Sequence, residues 1–115
     1  MLDIITEYRK GIFFIRLAGR LNYHTSFKIN HELSPLIKAG GIKYVVYNVE
    51  ELRLIDKNGI NALDASSRNI VNNKGKVIIC GLGKYPEHRK IKDSSILSYS
   101  YSISSELWAF KIINL

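Results

Sequence analysis

Cysteine is almost absent from this chain: Cys80 is the only one. A lone thiol cannot close an intrachain disulfide or build a zinc-finger type cluster, and a cytoplasmic setting is the simplest expectation. Long apolar runs are missing too. None approaches the roughly 18–20 residues that a helix needs to span a bilayer, so no membrane span is expected. The first residues, Met1-Leu2-Asp3-Ile4, lack the basic start and apolar stretch of a signal peptide. Internal repeats and low-complexity linkers are also lacking. With 115 residues, 46% hydrophobic and 23% charged, the composition is that of one folded domain spanning 1–115, and disorder is not expected.

Acidic residues are the other shortage. Ten Asp and Glu stand against 17 Lys and Arg, giving a net charge of +7. That excess suits three kinds of partner: nucleic acid, an anionic membrane surface or an acidic protein. The basic residues are spread along the chain. Only Lys84 to Lys92 is dense, with Lys84, His88, Arg89, Lys90 and Lys92. It reads either as a solvated face or as an electrostatic docking patch.

What is present is an alternation of strand and helix patterns. Ile4 to Tyr8 and Ile12 to Leu17 read as strands joined by a turn at Lys10-Gly11, hence antiparallel. Gly19 then breaks the pattern. Ile29, Leu33, Leu36 and Ile37 share one helical face, with a kink or restart expected at Ser34-Pro35 and an end at Gly40-Gly41. Tyr44 to Val49 is apolar on both faces, as a buried parallel strand is. A second helix begins around Asp56-Lys57-Asn58-Gly59, with Ile60, Leu63, Ile70 and Val71 along one stripe. Val77 to Cys80 is another buried strand. Tyr85 to Lys92 fits a short helix. Leu97, Tyr99, Tyr101 and Ile103 alternate with serines as in a half-exposed strand, and Ser104 to Leu115 reads as a terminal helix. The fold class is therefore α/β, a mostly parallel sheet with an antiparallel N-terminal edge strand and helices packed against it.

Signals for catalysis are sparse. His24, His31 and His88 lack metal-ligand spacing and suit surface or capping roles. Cys80 ends an apolar strand and reads as a buried thiol. Gly81-Leu82-Gly83-Lys84 lacks the full glycine–lysine–hydroxyl pattern of a phosphate loop and reads as a turn. The tyrosines fall mainly in strands, and no nucleic-acid-binding motif is present, so nucleic acid is not expected as partner. No enzyme activity, metal or cofactor is expected. The segment with most to offer is Asp56-Lys57-Asn58-Gly59. Asn58 suits an N-cap and Gly59 a sharp turn; an ordinary cap and a functional switch position are both open. The backbone N–H groups of that helix start also favour anions, which keeps a nucleotide- or anion-binding module as a further reading.

Three stretches carry a resemblance. Arg16-Leu17-Ala18-Gly19-Arg20-Leu21-Asn22 ends a strand in the pattern L-x-G-x-L-[DN]. Val45 to Val49, followed by Leu52, Leu54, Ile55, Asp56 and Gly59, matches a central strand leading into a "D-S-S-G" loop. Val77 to Gly81 matches the next core strand. In their order and spacing these resemble the STAS domain family, and most of all its sporulation-type anti-sigma factor antagonists. The resemblance implies a protein-binding switch whose partner, a kinase-type regulator or anti-sigma factor, docks on the loop and helix around that motif. It implies partner contacts at Asp56, Lys57, Asn58, Gly59 and Asn61, supported by Asn22 and Asn48. In the family, phosphorylation of the second serine of the motif releases the partner. Here Asn58 stands at that phospho-acceptor position and Lys57 precedes it, so the usual off-switch is expected to be missing while the docking surface persists. Ser66 and Ser67 are not equivalent acceptors. A stressosome-like subunit fits the same reading, and an accessory subunit of a transporter ATPase complex is the alternative. In the terminal helix, Trp108, Ile112 and Leu115 form a second apolar row, explained either by core packing or by a weak homodimer through that helix.

Overall fold

The computed structural model describes residues 1–113. Five strands form one sheet in sequential order: β1 (Leu2–Arg9), β2 (Ile12–Leu21), β3 (Tyr44–Ile55), β4 (Lys76–Cys80) and β5 (Tyr101–Ile103). β1 and β2 are antiparallel, and every later neighbour is parallel. The expected α/β architecture with an antiparallel edge strand is what is found. The β1–β2 hairpin turns at Lys10-Gly11, where both residues have positive φ (50° and 83°). Such a two-residue turn carries the twist that adjacent strands need.

Sequential order fixes where the helices lie. Each crossover between neighbouring parallel strands is right-handed, so successive crossovers fall on the same face of the sheet. α1 (Ser34–Gly40), α2 (Lys57–Asn72) and α3 (Arg89–Lys92) belong to those crossovers. The main core lies beneath them, built from alternate strand residues such as Phe13, Ile15 and Leu17, Val45, Tyr47 and Val49, and Val77 and Ile79. The complementary set, Ile12, Phe14, Val46, Ile78 and Cys80, lines the opposite face and packs with Ala109. That residue belongs to α4 (Leu107–Ile113), which follows the last strand and covers the second face. Period-two burial of both strand faces explains the near-continuous apolar runs in the sequence.

The chain departs from expectation in several places. Gly19 does not end β2; the strand continues to Leu21 through register shifts against β3 between Arg16 and Ala18 and between Gly19 and Arg20. The first helix has no capped restart at Ser34. It passes through a wide turn at Ile29–Leu33, closed by the Ser34 N–H on the Ile29 carbonyl, before becoming regular. Pro35 has no N–H to give, and the wide turn accommodates that loss. Ile29, Leu33 and Ile37 are buried as expected, but Leu36 is half exposed because the wide turn rotates it off the core. β5 spans only Tyr101–Ile103, since Ser95–Ser98 forms a tight helical turn that buries Ile96. In α4, Leu107 and Trp108 face outward, while Phe110, Ile112 and Ile113 pack on the second core face. Leu115 of the expected apolar row lies outside the described residues.

One polar cluster ties α4 to the sheet. Arg16 on β2 donates to both carboxylate oxygens of Glu106, at 2.9 Å and 2.8 Å, and Asn48 on β3 donates to the same group at 2.8 Å. Glu7 on β1 also pairs with Arg16, at 3.0 Å. The Arg16 hydrogen bonds, opposed by desolvation and helped by Asn48, hold the Glu106 carboxyl below the usual range. A depressed folded-state pKa gives stability that is present above the ordinary carboxylate pKa and fades as pH falls through the lower folded value. Replacing Glu106 by Gln should therefore destabilise the protein near neutral pH by about 1–2 kcal/mol. It should also flatten the loss of stability between about pH 5 and pH 3. Denaturant titrations at several pH values, followed by Trp108 fluorescence, measure both.

Candidate functional site

β3 ends at Ile55 and α2 begins at Lys57, so Asp56 is the one residue between them. A cap must still be extended while offering a short polar acceptor. Asp56 meets both conditions, with φ −106° and ψ −175°, and its side chain accepts the Gly59 N–H at 2.9 Å. The cap is therefore Asp56, not Asn58, which is already within the first helical turn. The second carboxylate oxygen of Asp56 accepts the Tyr23 N–H at 3.0 Å. One side chain thus joins the α2 entrance to the loop after β2. Desolvation works against its charge. The backbone donors of Gly59, Tyr23 and Asn58, with Lys90 nearby, outweigh that and hold its pKa below the ordinary value.

Gly59 serves proximity rather than a sharp turn. A Cβ there would strike the Leu21 carbonyl oxygen and come within 2.9 Å of the Ile55 side chain. The same carbonyl accepts the Asp56 N–H at 3.2 Å. The helix start is thus seated directly on the end of β2. Lys57, Asn58 and Asn61 are exposed on this seat, whereas Gly59 is buried within it.

Asn22 holds the neighbouring loop. Its side-chain oxygen accepts the N–H groups of His24 at 3.0 Å and Thr25 at 3.2 Å. That turn presents Tyr23, 71% exposed, beside the Asp56 cap. Asn48 is not brought to this place. It lies on the opposite face of the sheet, bonded to Glu106 as described above.

Two side chains not expected at this site, Glu87 and Lys90, clamp the other flank. Glu87 accepts the Ile55 N–H at 3.3 Å, and Lys90 donates to the Ile55 carbonyl at 3.0 Å. Lys90 also pairs with Glu87 at 2.8 Å and pulls the Glu87 carboxyl down in pKa. Nothing in the local pattern marks these contacts, because they span more than 30 residues. His88 next to them is buried, not a surface or capping residue. Its Nδ1 accepts the Gly83 N–H at 2.9 Å and its Nε2 lies 2.7 Å from the Leu52 carbonyl. Only an Nε2–H tautomer serves both contacts. The basic stretch is thereby partly consumed internally: Lys84 pairs with Glu51 and Lys90 with Glu87. Arg89 and Lys92 remain exposed.

Little here suits bond-making chemistry. Cys80 is buried, and desolvation pushes its thiol up to about 11. No three His, Cys, Asp or Glu side chains gather as a metal site among the described residues. No described helix is long and apolar enough to cross a membrane. Ser66 and Ser67 face inward on α2, and Ser66 shares a 2.6 Å hydrogen bond with the buried Tyr47 hydroxyl.

Losing the cap should cost about 1 kcal/mol, so Asp56→Ala is expected to lower stability by that order at neutral pH. The effect should shrink as pH falls through the depressed pKa of Asp56, because protonation removes the same acceptor charge in the parent protein. Gly59→Ala should cost more, on the order of 2–3 kcal/mol, since the Leu21 carbonyl is backbone and cannot move aside. Equilibrium denaturation of the variants ranks the two.

Comparison with known proteins agrees with this architecture. An anti-sigma F factor antagonist of Paenibacillus polymyxa is 24% identical over 95 residues, covering 83% of this chain and 80% of its own. The structure of the anti-sigma factor antagonist SpoIIAA in its unphosphorylated form superposes with a TM-score of 0.72 at 20% identity, covering 99% of this chain and 98% of that one. A serine-to-glutamate variant of RsbS from Moorella thermoacetica superposes with a TM-score of 0.78 at 13% identity, over 96% and 94% of the two chains. Residues 3–105 match the STAS domain family as a whole, and the chain belongs to that family.

Proposed function

We propose that this STAS domain is a regulatory protein-binding module that docks a kinase-type regulator or anti-sigma factor on the α2 entrance. It works in the cytoplasm, without catalysis or a cofactor, and is not silenced by phosphorylation at the usual position. The observation that carries the reading is the α2 entrance itself. Lys57, Asn58 and Asn61 are exposed on a helix start fixed from both sides, by Asp56 to the Tyr23 loop and by Glu87 and Lys90 to Ile55. Preorganisation of this kind lowers the ordering cost of association. The relative named an anti-sigma F factor antagonist supports the choice of partner class.

Asn58 offers an amide where a hydroxyl would be needed to receive a phosphoryl group. The only serines of α2, Ser66 and Ser67, are buried, so a kinase cannot reach them without opening the helix from the sheet. The surface therefore stays in its binding form. An anion-binding role for the same helix start is disfavoured by Asp56, whose own carboxylate already accepts the Gly59 N–H and would repel a second anion.

A pull-down from the host lysate tests the reading, with the native chain beside Asn58→Asp. A kinase-fold regulator held by the native chain and lost by the variant is expected, because a buried negative charge in a packed interface costs desolvation. A partner that is a transporter ATPase, or one indifferent to Asn58, overturns it. Lys57 puts an exposed cation on this surface, so Lys57→Glu should weaken binding and reduce its dependence on salt. Titrations at two ionic strengths read that out, and an unchanged affinity would remove Lys57 from the interface.

A further inference from the structure

β1 is the terminal strand of the sheet, and among the described residues no other strand pairs with its outer edge. Its hydrogen-bonding directions can be assigned residue by residue. The Arg20 N–H bonds the Met1 carbonyl, so Met1, and with it Asp3, Ile5, Glu7 and Arg9, point their main-chain groups at β2. Ile4, Thr6 and Tyr8 therefore point theirs outward. Leu2 does so too, and its carbonyl is already taken by the Lys28 ammonium at 2.9 Å. The outer edge is open from Asp3 to Arg9, and it carries exposed apolar groups: Ile5 is 60% and Tyr8 59% exposed. Open edges with such groups invite another strand unless charges forbid it.

Among pairings that engage the open edge along most of its length, the charges on β1 favour one. A second copy of the chain, related by a two-fold axis perpendicular to the sheet, pairs antiparallel and keeps each face with its like. Centred on Thr6, this pairing sets Asp3 opposite Arg9 of the other copy, Ile4 opposite Tyr8 and Thr6 opposite Thr6. The outward main-chain groups of Ile4, Thr6 and Tyr8 then exchange hydrogen bonds as facing pairs. Asp3 and Arg9 fall at the closer-spaced positions, where cross-strand attraction is greatest. Slipping the register by two residues in one direction places Asp3 against Glu7; slipping it in the other places Glu7 against its own copy. Both meet like charges directly opposite, which is destabilising. We propose that the outer edge of β1 is a self-association surface, joining two copies through a Thr6-centred antiparallel ladder into one continuous sheet. The surface is independent of the docking role assigned to α2.

Sedimentation velocity or light scattering over a concentration series tests the proposal. The native chain should move from 13.1 kDa towards twice that mass. Thr6→Pro removes an outward N–H while sparing the ladder to β2, the one place where an edge strand tolerates proline, and should leave a monomer. Arg9→Asp should also weaken the dimer, and Asp3→Arg combined with Arg9→Asp should restore it; that pair keeps the test open should the proline variant fold poorly. A native chain that stays monomeric at high concentration overturns the proposal. So does a dimer that survives Thr6→Pro and is lost on replacing Trp108 by Ser, which would place the contact on α4.

Discussion

The backbone carbonyl of Leu21 is the point on which the α2 entrance rests. It terminates β2, accepts the first N–H beyond β3 and is covered by a helix residue with no side chain. Two strands and a helix meet there at backbone distance, which only glycine at position 59 permits. Because the meeting is between main chains, it is insensitive to rotamers. Lys57, Asn58 and Asn61 are presented from a helix start seated on that contact, and the Asp56 cap ties Tyr23 to it.

The two faces of the sheet are built to different standards. One carries three crossover segments and most of the core; among the described residues the other is covered by the single helix α4, seven residues from Leu107 to Ile113. A helix so short has little stability of its own, so it depends on what it packs against. Ala109, Phe110 and Ile112 supply apolar contact, and the Arg16–Glu106 pair fixes its entrance to β2. The polar pair specifies where the helix docks, and the apolar residues hold it there.

Much of the architecture could be read from the sequence because its signals are local. The Lys10-Gly11 turn, the period-two burial of Phe13, Ile15 and Leu17, and the apolar runs at Val45 and Val77 all express backbone sterics and burial within a few residues. The failures share a different cause. Gly19 reads as a stop, but β2 gains enough pairing from its neighbours to run past it. Asn58 is as good a capping type as Asp56, and only the path of β3 decides between them. Leu97 and Tyr99 alternate like a strand, yet Ile96 is buried by a tight turn first. His88, Glu87 and Lys90 act on partners far away in sequence, so no local pattern betrays them. The STAS resemblance pointed to the α2 entrance as the candidate site, whereas Asn48, grouped with it by motif order, lies on the other face.

Cys80 is at once the sole thiol and a member of the core that α4 seals. A thiol reagent can reach it only when that helix lifts or β4 comes apart, and its raised pKa keeps it protonated at neutral pH. The chain thus contains a built-in clock for one motion. The rate at which Cys80 becomes labelled reports the opening of the thinly covered face, with no cysteine to engineer and no second one to confuse the signal.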